Sequence, residues 1–172
     1  MVGSGVAPHW LPENLRQYCN CYPVASFKGE YTHAIDAKGR VSFPSKLRKF
    51  LSPGAQENFT ILRGLENCLL LYPEDKWRNV EDSLSQLNAF KRENRTVLRN
   101  FLRSAEDVSL DNQNRIALPS KLMEWADITS KVVFIGMGDC IELWSPDTLN
   151  SQDGTMEDDA YVELFEKVMG DV

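Results

Sequence analysis

Apolar and polar positions alternate in short runs along most of the chain and switch to helical spacing in a few places. Tyr31–Ile35, Arg40–Phe43, Thr60–Arg63, Cys68–Tyr72, Asp107–Leu110, Arg115–Leu118, Val132–Ile135 and Ile141–Trp144 are strand-length runs bounded by turn residues. DAKG at 36–39 and DNQN at 111–114 predict tight turns, as do Gly64 and the Gly136/Gly138 pair. Pro44 and Pro119 end a strand in each half, because proline cannot donate to a ladder. Ser45 and Ser120 follow, predicting one helical turn each with the serine as N-cap. Trp77, Val80, Leu84 and Leu87 recur at threes and fours, the spacing of an amphipathic helix. Val97, Leu98, Phe101 and Leu102 form a second stripe, backed by Lys91, Arg92, Arg95, Arg99 and Arg103, and a last helix is predicted around Met156–Met169 with Tyr161, Leu164, Phe165 and Val168 apolar.

The pattern occurs twice. DAKGRVSFPSKL at 36–47 returns as DNQNRIALPSKL at 111–122, an offset of 75. After a loop three residues shorter, Gly64, Cys68, Leu71, Tyr72 and Asp75 fall on Gly136, Cys140, Leu143, Trp144 and Asp147. Each copy has only about 45 residues of strand and turn, too few to bury an adequate core alone, so two copies are expected to share one core as an internal pseudo-dimer. The chain divides into residues 1–26, whose Gly, Ser, Pro and Asn predict a flexible extension, a first module at 27–103 with its helical appendage, and a second at 104–172 with its C-terminal helix.

Charge separates the halves. Residues 27–103 hold 14 Lys+Arg against 9 Asp+Glu, whereas 104–172 hold 4 against 15. The net charge of -6 argues against indiscriminate coating of nucleic acid but allows a local basic face, and Lys28–Lys49 carries six basic residues against two acidic. The acidic C-terminal half reads either as a deterrent to non-specific binding or as a solvated surface. No run approaches the roughly 20 apolar residues of a membrane span, and the first 26 residues lack a basic start and apolar core, so a cytoplasmic protein is expected. The lone Cys19-x-Cys21 and isolated Cys68 and Cys140, with only His9 and His33 beside them, do not make a metal set; reduced thiols and no cofactor are expected. His33 reads as a packed or surface histidine.

Asp36-Ala-Lys-Gly-Arg40 carries the chemistry. Asp36 can accept nearby backbone N–H groups, and Gly39 supplies a positive φ without a Cβ penalty. Lys38 and Arg40 then flank a tight turn, and the planar arginine fork suits phosphate or the O6/N7 edge of guanine. The bland alternative is a hairpin turn with a solvated arginine. Lys46, Arg48 and Lys49 read either as a solvated helix face or as phosphate contacts, and the 91–103 basic face as an exposed helix or a subunit contact.

Residues 27–40, FKGEYTHAIDAKGR, followed by Pro44, the second D-x-x-x-R, LRGLENCL at 62–69 and IELW at 141–144 together resemble the MraZ family of bacterial transcriptional regulators over about residues 27–170. The resemblance implies a mainly β fold with appended helices, in which two tandem AbrB-like swapped-hairpin modules share a β-barrel-like core. It implies a ring-shaped homo-oligomer that binds repeated double-stranded DNA elements upstream of the division and cell-wall gene cluster, associated with the nucleoid. By that resemblance Lys38 and Arg40 contact DNA, Arg115 holds the matching place, and Asp36, Gly39, Asp111 and Asn114 form the turns. Two positions depart from the pattern. Asn114 stands where the family has glycine, and asparagine is the best substitute in the left-handed region. Gln113 stands opposite Lys38, so the second loop carries one cation fewer and is the weaker DNA candidate.

An enzyme needs a converging acid, base or nucleophile set; the serines at 45 and 120 have no base, and no P-loop, G-x-G-x-x-G or H-E-x-x-H occurs. The rival is an interaction module, since AbrB-like folds also serve as antitoxins that capture a partner through a disordered tail. Salt dependence separates the two readings, because binding through several Lys and Arg contacts weakens steeply with salt. One short cationic loop binds weakly, and loops at fixed spacing on a ring are expected to bind a repeated site by avidity.

Overall fold

The computed structural model describes residues 26–55, 57–153 and 158–170. The extension expected over residues 1–26 and the start of the C-terminal helix at 156–157 lie outside them, apart from Ser26. The first copy runs β1 (Glu30–Ala34), β2 (Arg40–Ser42), α1 (Ser45–Arg48), a short 3-10 turn (Pro53–Ala55), β3 (Asn58–Arg63), β4 (Leu69–Pro73), α2 (Glu74–Ser85) and α3 (Arg92–Leu102). The second runs β5 (Glu106–Ser109), β6 (Arg115–Ala117), α4 (Ser120–Trp125), β7 (Lys131–Gly136), β8 (Ile141–Trp144), α5 (Pro146–Asp153) and α6 (Asp158–Gly170).

The copies exchange their hairpins. β1 does not join its own copy's sheet but pairs with β7, Glu30 opposite Ile135 through Ala34 opposite Lys131. β5 returns the exchange by pairing with β3, Asn58 opposite Ser109. The six-stranded antiparallel sheet has the order β1-β7-β8-β4-β3-β5, which maps onto itself when the copies are interchanged. The β4–β8 pair, Leu69 opposite Leu143, lies at its centre. β2 and β6 make a separate two-stranded ribbon, Val41 opposite Ile116. The fold is thus mainly β with appended helices, and the sheet is open, with β1 and β5 at its edges, rather than a closed barrel.

Alternation explains the layers. In β4 the burial runs buried, half-buried, buried, half-buried, buried, so Leu69 and Leu71 face inward. Val41 and Ile116 turn in from the ribbon to meet Phe59, Ile61, Phe134, Ile141 and Leu143 of the sheet, while Leu47 and Leu122 close the ends from the short helices. Both copies contribute matching groups to that cluster, among them Val41 and Ile116, Phe43 and Leu118, and Leu47 and Leu122, which is why neither half could bury it alone. On the opposite sheet face Val133 of β7 and Trp144 of β8 pack with Leu149 of α5, and Trp77 of α2 stacks on Phe101 of α3 with centroids 6.1 Å apart.

The expected serine caps are not formed. Pro44 and Pro119 take the N-cap positions of α1 and α4, with no side-chain cap bond, and Ser45 and Ser120 are already helical. The fixed φ of proline, near -60° at both sites, sets the entry instead.

Candidate nucleic-acid interface

The two D-x-x-x-R turns have the same hydrogen bonds. Asp36 Oδ1 accepts the backbone N–H groups of Lys38 (2.9 Å) and Arg40 (3.0 Å), and Asp111 Oδ1 accepts those of Gln113 (2.8 Å) and Arg115 (2.9 Å). The other carboxylate oxygen holds the arginine. Asp36 Oδ2 accepts Arg40 Nε at 2.9 Å and Nη2 at 2.7 Å, and Asp111 Oδ2 accepts Arg115 at the same two distances. The N–H of Gly39 donates to the Asp36 carbonyl, and that of Asn114 to the Asp111 carbonyl. Both closing residues are left-handed, Gly39 at φ 72° and Asn114 at φ 58°, so the asparagine takes the conformation the first copy gives to glycine.

These bonds set the electrostatics. The side-chain bond from Arg40, then the backbone N–H of Arg40, lowers the Asp36 carboxyl to about 2, and Arg115 does the same to Asp111. Both aspartates are therefore ionised at neutral pH and clamp the Nε/Nη2 edge of their arginines, leaving Nη1 outside the chelate. The clamp fixes a long side chain before any ligand arrives, which reduces the rotamer entropy lost on binding.

The ribbon brings the two arginines together. Arg40 pairs with Ala117 and Ser42 with Arg115, so the arginines sit at opposite ends of the ribbon on one face, separated by roughly 7 Å of strand rise. Val41 and Ile116 alternate to the buried face. Asn114 O accepts the N–H of Phe43, and Gly39 O accepts that of Leu118, tying each turn to the other copy's strand end. Arg115 Nη1 also lies 3.9 Å from Asp36 Oδ2. The side chains of Arg40 and Arg115 remain about one-third and one-quarter exposed, at 31% and 24%.

The supporting cations differ in freedom. Lys38 is exposed, and its ammonium makes no ion pair among the described residues. Lys46 Nζ lies 5.6 Å from the centre of the Tyr31 ring, a cation–π contact that holds it over β1. Arg48 is engaged by Glu57, with Nε 3.2 Å from Oε1. Sequence reasoning missed three of these partners: the crossing Asp36–Arg115 approach, Tyr31 under Lys46, and Glu57 beside Arg48. Only the first had a signal, the repeated aspartate, once the ribbon pairing is known.

Elsewhere the chemistry is sparse. No cluster of three His, Cys, Asp or Glu suited to a metal occurs among the described residues, and His33 packs edge-on against Phe134. Burial pushes the Cys68 thiol up to about 12 and raises that of Cys140. No helix among the described residues is long and apolar enough to cross a membrane.

A family model described as "MraZ protein, putative antitoxin-like" matches residues 26–100 and again 101–159. A protein of Natranaerobius thermophilus named "Transcriptional regulator MraZ" is 42% identical over 119 residues, covering 69% of this chain and 80% of its own. Proteins of the same name from Alkaliphilus oremlandii, 39% identical over 143 residues, and Clostridium tetani, 40% identical over 119, cover 81% and 69% of this chain and 97% and 81% of their own lengths. These are regulators by name, not enzymes.

Proposed function

The chain belongs to the MraZ family, and on that premise we propose that it is a sequence-specific DNA-binding transcriptional regulator. It acts in the cytoplasm at the nucleoid, on repeated promoter elements of the division and cell-wall gene cluster that include its own promoter. It works as a homo-oligomeric ring.

The observation that supports this most is the pair of clamped arginines, Arg40 and Arg115, on the exposed face of one ribbon. Each offers an oriented guanidinium edge from a rigid support, the geometry that bidentate base or phosphate recognition needs. Lys38 adds the uncommitted charge of the first turn. Lys46 and Arg48 stand behind as phosphate contacts that position the protein without reading sequence. Arg48 must leave or share Glu57 to do so, which makes it the weaker contributor.

A binding titration of wild type and Arg40→Ala on DNA from upstream of the gene, at two salt concentrations, tests the reading. Wild type is expected to bind repeated sites with steep salt dependence, and the variant to lose 10-fold or more, on the order of one good base contact. A folded wild type that binds no DNA at low salt overturns it in favour of a protein-capturing module, as in antitoxins.

A further inference from the structure

The ribbon joins each turn to the helix of the other copy. β2 and β6 run antiparallel, with Arg40 opposite Ala117 and Ser42 opposite Arg115. The turn that enters β2 therefore lies where β6 leaves through Pro119 into α4, and the turn that enters β6 lies where β2 leaves through Pro44 into α1. Contacts agree at both ends. Lys38 and Gly39 line one groove, of about 510 Å³, with Ser120, Met123, Glu124 and Asp127. At the other end Asn114 O accepts the N–H of Phe43, just ahead of α1. The N–H of Leu110 donates to the carbonyl of Glu57, the residue whose carboxylate holds Arg48.

The repeats have diverged in charge where these ends meet. Arg48 and Lys49 of the first copy stand at the positions of Met123 and Glu124 in the second. At the end made of turn 36–40 and residues 120–129, Lys38, Arg40 and Lys121 are matched by Asp36, Glu124 and Asp127. At the end made of turn 111–115 and residues 45–57, Arg115, Lys46, Arg48 and Lys49 outnumber Asp111 and Glu57. Lys49 is exposed, makes no ion pair among the described residues, and lines an open groove of about 590 Å³ with Ser45, Arg48 and Ser52. Glu124 and Asp127 are exposed in the groove of Lys38, so their charge offsets its attraction for an anion. The cation missing at Gln113 is thus supplied by the other copy, and the cation present at Lys38 is opposed by the other copy.

We infer that the ribbon end built from Arg115, Arg48 and Lys49 is the principal phosphate-binding end of the double-stranded DNA site, with Lys49 itself a phosphate contact, and that Glu124 and Asp127 weaken the end that holds Lys38. The inference rests on the DNA-binding reading above and ranks the parts of its site; it does not depend on the ring. It reverses the order that the isolated loops suggest, in which Gln113 makes the second turn the weaker. Lysine suits the assigned role because a mobile point charge holds a phosphate without reading a base.

Titrations of the full chain on DNA from upstream of its gene, across a series of salt concentrations, test it with surface variants whose melting temperatures match wild type. Lys49→Gln is expected to lose about 10-fold in affinity, the order of one charge-assisted bond, and to flatten the slope of log affinity against log salt by about one. Lys38→Gln, which copies the second turn onto the first, is expected to lose under about 3-fold, because its charge is already offset. Glu124→Gln is expected to tighten binding, and Lys38→Gln to cost more in that background than alone, a coupling that a double-mutant cycle reads directly. A photocrosslinker at position 49 is expected to capture the DNA more strongly than one at position 124. A wild type that binds the DNA while Lys38→Gln loses as much as Lys49→Gln, or while Glu124→Gln leaves affinity unchanged, overturns this ranking and leaves the regulator reading standing. Crosslinks from position 124 as strong as those from position 49 overturn it in the same way. A folded wild type that binds no DNA at low salt overturns the ranking and the regulator reading together.

Discussion

Asp36 and Arg115 belong to different repeats, yet the Nη1 of Arg115 lies 3.9 Å from the Asp36 carboxylate. Each aspartate holds its own arginine at shorter range, so the crossing approach links two otherwise complete turns. Charges in the two loops are therefore coupled, and a change in one is expected to be felt in the other.

The second turn carries one cation fewer than the first because Gln113 stands in the place of Lys38. Gln113 donates its backbone N–H to Asp111, a bond that any residue except proline preserves. Gln113→Lys is expected to leave the fold intact, tighten DNA binding and steepen the slope of log affinity against log salt by about one phosphate contact. An unchanged slope would show that the second loop stays away from the backbone.

Acid should weaken the turns. Asp36 and Asp111 are lowered to about 2 in the fold, against 3.8 for the free side chain. Depressed carboxylates stabilise the native state when ionised, so this contribution is complete above about pH 4 and is lost as pH falls towards 2. Thermal unfolding followed from pH 7 to pH 2 is expected to show a steeper loss between pH 4 and 2 in wild type than in Asp36→Asn/Asp111→Asn. Parallel curves would refute the assignment.

The ribbon's inner face should be costly to thin. Ile116 is fully buried opposite Val41 and belongs to the core shared by both copies. Ile116→Ala is expected to cost about 2–5 kcal/mol in denaturant unfolding. It should lower DNA affinity only as far as it loosens the ribbon. The exposed Ala117→Ser beside it should cost under about 0.5 kcal/mol.

Gly136 is a tighter constraint than its turn position suggests. A Cβ there would collide with the backbone of Phe27 and Lys28, where Phe27 and Gly138 exchange hydrogen bonds. Gly136→Ala must displace main chain, not a side-chain tip, and is expected to destabilise by more than about 1 kcal/mol. Gly138→Ala meets no neighbour, so its cost is limited to the backbone strain of φ 82°.

Buried thiols should resist labelling. Cys68 is 2% exposed, with its thiol pushed up to about 12 by burial. At pH 8 a maleimide is expected to leave Cys68 unmodified in the native protein and to react after denaturation, checked by mass spectrometry.

Much of this molecule was legible because it is written twice. The offset of the D-x-x-x-R motifs marked both turns, and the shortage of core in each copy implied a shared one. Strand ends fell within a residue or two, for example Glu30–Ala34 against an expected Tyr31–Ile35. The helix entry was misread at Ser45 and Ser120 because a proline one residue earlier already fixes the backbone. Partners chosen by tertiary proximity had no local signal. Nothing near Arg48 in sequence points to Glu57, nine residues away, and nothing near Lys46 to the Tyr31 ring.

The exchange of hairpins also orders events during synthesis. β1 leaves the ribosome early, but its pairing partner β7 ends at Gly136, so Glu30 must wait for Ile135. Contacts so distant along the chain form late and make folding slow. A chain broken off after the first copy would present both β1 and the free side of β3 as naked edges, open to strands of other chains. Its arginine turn would be complete in sequence but would lack the ribbon strand that anchors it. Truncated products of this chain are therefore expected to aggregate, not to compete for the binding site of the finished protein.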